Sequence, residues 1–315
     1  MQATAFSCCD KPLGALDNRA GVALCPLFRQ CKRHPRLQAP GCFQRARVGV
    51  ARPHGGRRVI FIIGGQGFVG SAYPRLFKRL GLDHQVITRD NFDQFAGQPC
   101  DVLINANGNS KKFMADRDPV WEFDASVVSV AKALEAFKAK AYIHLSTGDV
   151  YPETHSPEVS REDQLPDVTR MSRYGLHKYI AETLVRGAHD NHLIMRMGGF
   201  VGPNLKKNAV YDMLNDAPIW LHRDSELQFI STDSAAEIVW TVFQNGARNE
   251  TVNLGARGVV KIGDLFDRLK PKSEFQPDAK PVRFEISVDK LETLYGAPLP
   301  ESRAEVDAFL TAQGR

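Results

Sequence analysis

The sequence predicts a doubly wound α/β fold, a parallel sheet with helices on both faces, completed by a small C-terminal lobe. Two observations carry that reading. The apolar run Val59-Ile60-Phe61-Ile62-Ile63 passes at once into a turn holding Gly64, Gly67 and Gly70, and an amphipathic stretch opens behind it at Ser71. Downstream, short apolar runs then alternate with stretches of helical spacing, the order a parallel sheet needs.

The first strand and its glycine turn form the context of a dinucleotide site. Glycines let the turn tighten and let backbone N–H groups approach a pyrophosphate, which then rests on the positive end of the following helix. Gly64, Gly67, Phe68, Val69 and Gly70 are the expected cradle. Ala72, Leu76, Phe77 and Leu80 keep helical spacing, and Gly81 ends that helix. A second strand is expected over Gln85–Asp90. Arg89 at its end stands 19 residues past Gly70, where a charged side chain reads the adenosine ribose. An arginine there pairs with a 2′-phosphate and favours NADP, while Asp90 keeps NAD open.

The next strand, Asp101–Ala106, follows too soon for a full helix-and-strand unit to intervene. Ala106 and Asn107 close it at the edge where parallel sheets bind ligands, and are expected at the cofactor. A long helix is expected from Asp118-Pro119 to Lys140, with Val120, Phe123, Val127, Val130, Leu134 and Phe137 as its core face. Ala141–Thr147 and His192–Met197 read as strands, with a helical run around Ser172–Glu182 between them. Phe229–Phe243 reads as a return to the sheet followed by a helix, and Val252–Leu254 as a last strand. The division expected is a core over 57–200 and a substrate lobe over 201–315, with 227–254 returning to the sheet.

The net charge of +5 is unevenly spread. Residues 1–58 carry 11 of the 41 Lys and Arg but 2 of the 36 Asp and Glu; the remainder carries 30 against 34 and is mildly acidic. A nucleic-acid partner is therefore not implied. Residues 1–56 hold five of the six cysteines, in no common zinc spacing, and lack hydrophobic periodicity. They read as a disordered extension, with a transit peptide or a start placed upstream of Val48 or Val50 as alternatives. No signal-peptide hydrophobic region and no run of about 18 apolar residues occurs, so a cytoplasmic protein without a membrane span is expected. The nine histidines are scattered, and no metal site is expected.

Tyr174 and Lys178 stand four residues apart on one helix face. A tyrosine hydroxyl titrates near pH 10 in water, about three units too high for neutral-pH acid–base work, and a neighbouring ammonium lowers it. A hydroxyl from Thr147 at a strand end can hold a substrate carbonyl oxygen. The same pair on an exposed helix would have no such role.

Together these pieces resemble the extended short-chain dehydrogenase/reductases, the NAD-dependent epimerase/dehydratase family. The resemblance rests on Gly64-x-x-Gly67-Phe68-Val69-Gly70, Leu145-Ser146-Thr147-x-x-Val150-Tyr151, Tyr174-x-x-x-Lys178, Arg196 to Gly202-Pro203, Gln228-Phe229-Ile230-x-x-Asp233-x-Ala235 and Asn253-Leu254-Gly255, in family order over about residues 57–300. Asp101–Ala106 and Ser146–Tyr151 look most like the 4-keto-sugar reductases of the dTDP-4-dehydrorhamnose reductase type. The resemblance implies a Rossmann-type fold with Thr147 and Tyr174 catalytic and Lys178 on the nicotinamide ribose. It implies a sugar-like small-molecule substrate and leaves a homodimer open. Three departures stand out. Gly148-Asp149 replaces the acid pair of the dehydratases, Gly199 replaces an asparagine that holds the substrate diphosphate, and Gln228 replaces a phosphate-binding arginine. Asp149, Gly199 and Gln228 remain the substrate-side candidates, and Lys206 and Lys207 are candidates to supply the missing phosphate contacts, unless they form a solvated loop. The leading expectation is NADP-dependent carbonyl reduction, with epimerisation through a transient ketone, or cofactor sensing without turnover, as the alternatives.

Overall fold

A computed structural model of the chain describes residues 58–315. The segment read as an N-terminal extension lies outside the described residues. Strand β1, Ile60–Ile63, is buried throughout, and the glycine turn leads into α1, Ala72–Leu80. Gly81 ends α1 in the left-handed region at φ 66° and returns its N–H to the Lys78 and Phe77 carbonyls. Then come β2 (His84–Ile87), a one-turn helix α2 (Phe92–Phe95) and β3 (Pro99–Asn105). The short connection thus holds one turn, and β3 starts two residues before the expected Asp101.

The long helix expected to Lys140 forms from Pro119 but carries a π turn and ends at Ala136. Helices α3 (Met114–Arg117) and α4 (Pro119–Phe123) lead into a π turn over Asp124–Val128 and then α5, Ser129–Ala136. Asp118 caps α4 by accepting from the Trp121 N–H at 3.1 Å. The wider turn changes which residues face inward. Glu122 and Ser126 are buried, while Val120 and Phe123, expected in the core, point out at 80% and 38% exposure. Phe137 turns extended (φ −118°, ψ 130°), and β4 begins at Lys138, three residues early, running to Thr147.

Helix α6 (Arg173–Ala188) and β5 (His192–Met197) follow as expected. Beyond them lie β6 (Gly199–Val201), α7 (Ala209–Leu214), β7 (Glu226–Leu227), β8 (Phe229–Ser231), α8 (Thr232–Gln244) and β9 (Glu250–Leu254). The chain closes with β10 (Val260–Lys261), α9 (Ile262–Leu269), β11 (Arg283–Phe284), α10 (Asp289–Tyr295) and α11 (Ser302–Ala312).

The main sheet has the order β2-β1-β3-β4-β5-β9, all pairs parallel. Both faces are covered, which is why its strands read as continuous apolar runs rather than alternating ones. Ile60 and Ile62 pack with α1 and α8; Phe61 and Ile63 face the side covered by α5 and α6. Only β9 of the 227–254 stretch returns to this sheet. β8, read as part of that return, pairs instead with β6. The C-terminal lobe builds its own core from Val210, Ile219, Phe229, Val260, Leu265 and Leu310.

A buried polar network fixes α6 on the sheet. Glu182 is fully buried and accepts from Arg196 (Nη2–Oε2 2.9 Å), Arg186 (3.1 Å) and the Ser146 hydroxyl (2.5 Å). Arg196 also donates to Tyr151 Oη at 3.0 Å, and the Tyr151 hydroxyl donates to Asn253 Oδ1 at 2.9 Å. Burial alone would raise the Glu182 carboxyl; Arg196, Ser146 and Arg186 together hold it below the ordinary carboxylate range. A carboxyl lowered in the folded state adds stability above its ordinary value and loses it as the pH falls through the folded value. Arg196→Ala should therefore cost about 3–5 kcal/mol in urea unfolding at neutral pH, because Glu182 is left buried and short of its main partner. A loss under about 1 kcal/mol would show the network to be dispensable.

Candidate active site

The chain order reverses between β1 and β3, and the crevice beyond their C-terminal ends is where such sheets bind ligands. Gly64 sits there at φ 77°, and a Cβ on it would lie 2.7 Å from the Ala106 carbonyl oxygen and 2.9 Å from the Asn107 nitrogen. A Cβ on Gly70 would lie 2.2 Å from the Gly64 carbonyl. These approaches need glycine and leave the α1 N-terminus open toward the crevice. The Gly67 N–H closes the turn on the Gly64 carbonyl at 2.9 Å, and Phe68 and Val69 pack back against the core. Arg89 and Asp90 are exposed past the end of β2 on the same sheet edge, and Arg89 makes no ion pair among the described residues. Backbone N–H groups for a pyrophosphate and a free guanidinium nearby fit a dinucleotide.

On the far side of the crevice, β4 delivers Thr147 and α6 delivers Tyr174 and Lys178. Ser172 caps α6, its hydroxyl accepting from the Gly175 N–H at 3.1 Å. A Cβ on Gly175 would lie 2.1 Å from the Asp149 carbonyl, so the first turn of α6 rests directly on the turn after β4. The Tyr174 hydroxyl donates to the Asn109 carbonyl at 3.1 Å. Lys178 Nζ lies 5.6 Å from the Tyr174 ring centre, and a Cβ on Gly108 would be 2.4 Å from that same nitrogen. Tyr174 and Lys178 thus both reach the loop after β3, next to Ala106 and Asn107. Thr147 Oγ1 donates to Asp149 Oδ2 at 2.8 Å, and Asp149 also pairs with Lys112 at 2.6 Å.

Burial governs the charges here. It pushes the Tyr174 phenol well above its ordinary value, with Asp149 and Glu122 adding to the shift. It pushes the Lys178 ammonium down to about 8, against Glu122 and Asp149. Lys178, expected to lower the Tyr174 phenol, is not among the groups that shift it; burial and the two carboxylates raise it.

The substrate-side candidates divide. Asp149 is at the site. Gly199 is spent on a close strand contact, since a Cβ there would meet the Gln228 carbonyl at 2.6 Å. Gln228 needs correction as a substrate-side residue. It is 1% exposed, its Nε2 donates to the Ala256 and Ile286 carbonyls at 2.8 and 3.1 Å, and its Oε1 accepts from the Ile286 N–H at 3.2 Å. Lys206 is exposed. The Lys207 ammonium is lowered by partial burial and by Lys112 and Lys111, with Asp149 opposing, which sets it among those groups. The sequence reading placed Asn107-Gly108-Asn109 at the ligand edge of the sheet and missed Lys112, Glu122 and His177. The one visible signal was His177, inside the Tyr-x-x-x-Lys spacing. Among the described residues no His, Cys, Asp and Glu group is arranged to hold a metal, and no helix is long and apolar enough to cross a membrane.

The model of the NAD dependent epimerase/dehydratase family matches residues 60–255. The chain belongs to that family. No curated protein matches it. Among solved structures, a UDP-glucuronic acid 4-epimerase from Bacillus cereus, in complex with UDP-glucuronic acid and NAD, is similar at TM-score 0.66 and 20% identity, over 80% of this chain and 97% of its own. RMD from Pseudomonas aeruginosa, complexed with NADPH, is similar at TM-score 0.67 and 17% identity, over 81% and 99%. A UDP-glucose 4-epimerase from Thermotoga maritima, solved with UDP-glucose, is similar at TM-score 0.63 and 16% identity, over 81% and 99%. At these identities the likeness establishes the Rossmann-type fold.

Beneath α6, His144 is buried and neither ring nitrogen has a hydrogen-bond partner. Burial, with Lys178 adding, lowers it to about 4. Between that value and the ordinary histidine value of about 6.5, the unfolded chain takes up a proton the folded chain refuses, so stability falls as the pH drops. His144→Leu should flatten that slope in urea-unfolding midpoints taken from pH 7 to 4.5 (roughly the histidine window). Parallel slopes in the two proteins would contradict it.

Proposed function

We propose that this enzyme reduces a keto group on a sugar-like, nucleotide-linked substrate with NADPH. The observation that carries the reading is Tyr174 beside Lys178 on α6, the ammonium nitrogen 5.6 Å from the phenol ring centre, at the crevice beyond β1 and β3. A phenol is the form that can give a proton to a developing alkoxide. When bound, the nicotinamide supplies the hydride to the carbonyl carbon. Tyr174 protonates the carbonyl oxygen, and Lys178 holds the nicotinamide ribose and orients Tyr174. Thr147 turns its hydroxyl from Asp149 to the same oxygen. Arg89 takes the 2′-phosphate. Lys207, grouped with Lys111 and Lys112, faces an anionic part of the substrate such as a diphosphate. Neighbours that bind UDP-sugars and NADPH support the substrate class and the cofactor.

A second reading, epimerisation with retained cofactor, is favoured by the 4-epimerases among those neighbours. Cofactor that stays with the protein through purification in equimolar amount would select it.

With a 4-keto sugar nucleotide, Tyr174→Phe should lower the rate of NADPH consumption by about 10²-fold or more while NADPH binding is kept. Turnover unchanged in that variant would sink the reading. Arg89→Ala should weaken NADPH binding by about tenfold and leave NADH binding alone, since one charge-assisted contact is lost. An unchanged preference for NADPH would remove Arg89 from the assignment.

A further inference from the structure

The loop between β3 and α3 lies across the working face of α6. Its residues 107–113 are exposed except for Asn109, which is buried. The Asn109 side chain folds the loop on itself: Oδ1 accepts from the Lys111 N–H at 2.8 Å and Nδ2 donates to the Lys111 carbonyl at 2.9 Å. That turn aims the Asn109 carbonyl at α6, where it accepts from the Tyr174 hydroxyl at 3.1 Å. One residue earlier, Gly108 adopts φ 139°, and a Cβ there would stand 2.4 Å from Lys178 Nζ, so only bare backbone fits against the ammonium. Three residues after Asn109, Lys112 Nζ donates to Asp149 Oδ1 at 2.6 Å and lies 5.6 Å from the Phe284 ring centre on β11. Both ends of the loop are held. The Asn107 N–H donates to Asn105 Oδ1 at 3.0 Å, and Arg173 donates to the Ala115 carbonyl at 3.1 Å.

A hydroxyl carries one proton to donate. While the Asn109 carbonyl holds that of Tyr174, it is not free for a substrate oxygen. We propose that this loop is a latch on the Tyr174 proton, clasped by the Lys112–Asp149 bridge and opened when an anionic group of the substrate draws Lys112 away. The proposal rests on the reading of Tyr174 as the proton donor. Lys112 directly follows the Asn109 turn, so moving it carries the Asn109 carbonyl off Tyr174. It is a positioning residue, and it makes turnover depend on the charge of the substrate. Two features suit a clasp that opens. The Lys112 side chain is 61% exposed, so the bridge is of the weak, readily exchanged kind. Lys111, its chain neighbour, is exposed and makes no ion pair among the described residues, so an arriving anion meets two ammonium groups where Asp149 engages one. A diphosphate has the charge to exchange with the Asp149 carboxylate, and a free sugar does not.

The test supplies the anion separately, as inorganic pyrophosphate. With saturating NADPH and a free keto sugar that carries no phosphate, pyrophosphate should raise kcat/KM of the parent about fivefold, the span that one exposed ion pair controls. Lys112→Met keeps the stem of the side chain and removes its charge. Without pyrophosphate it should turn over the free sugar about fivefold faster than the parent, and it should gain nothing when pyrophosphate is added. The Tyr174 ring reports on the latch directly. In the full chain labelled with 13C at tyrosine Cζ, assigned with Tyr174→Phe, pyrophosphate should move the Tyr174 signal of the parent to the position it holds in Lys112→Met. A Tyr174 signal that pyrophosphate leaves in place would overturn the proposal. So would a Lys112→Met protein that is slower on a nucleotide-linked substrate and no faster on the free sugar, since Lys112 would then be a plain substrate contact. A signal that moves as expected in a protein that reduces no keto sugar would keep the latch and sink the functional reading instead.

Discussion

The position of α6 depends on the carboxylate of Glu182. Shared among Ser146 on β4, Arg196 on β5 and Arg186 on its own helix, it pins α6 across the C-terminal half of the sheet. About one turn toward the N-terminus stands Lys178, and about two turns away stands Tyr174. The close approach at Gly175 fixes the other end of the same helix on the turn after Thr147. Two anchors a few turns apart leave the buried face of α6 little freedom to rotate. Tyr174 and Lys178 inherit their register from these anchors.

Burial is the second constraint. Tyr174 and Lys178 sit buried beside the loop after β3, so desolvation outweighs individual charges there. This favours a phenol at Tyr174 and works against an ammonium at Lys178. Proton donation to a carbonyl needs the first and is hindered by the second. The negative groups that gather around the pair, Asp149 and Glu122, oppose the loss of charge at Lys178.

Much of the fold was legible in the sequence because its signals are local. An apolar run ending in glycines at fixed spacing specifies β1 and its turn, and Gly81 announces the end of α1. The same holds for the placing of Tyr174 and Lys178 on one face of α6, which helical spacing alone gives. What was not legible depended on tertiary choices. A π turn leaves little trace in a hydrophobic pattern, so Val120 and Phe123 read as core while Glu122 took the buried position. The pairing of β8 with β6 rather than with the main sheet is decided by the C-terminal lobe. Gln228 read as a ligand contact because a polar residue stood at a motif position; only the fold reveals that the Ala256 and Ile286 backbones use up its amide.

In the proposed reaction Thr147, Tyr174 and Lys178 face a bound nicotinamide and serve hydride transfer to a ketone. It is tested most directly by following the hydrogen itself. The enzyme would be supplied with a 4-keto sugar nucleotide and NADPH deuterated at both nicotinamide C4 positions, and the product examined by mass spectrometry and NMR. Each product molecule should carry a single deuterium, on the former carbonyl carbon. Product formed without deuterium, or NADPH bound but never oxidised by any keto sugar offered, would contradict it.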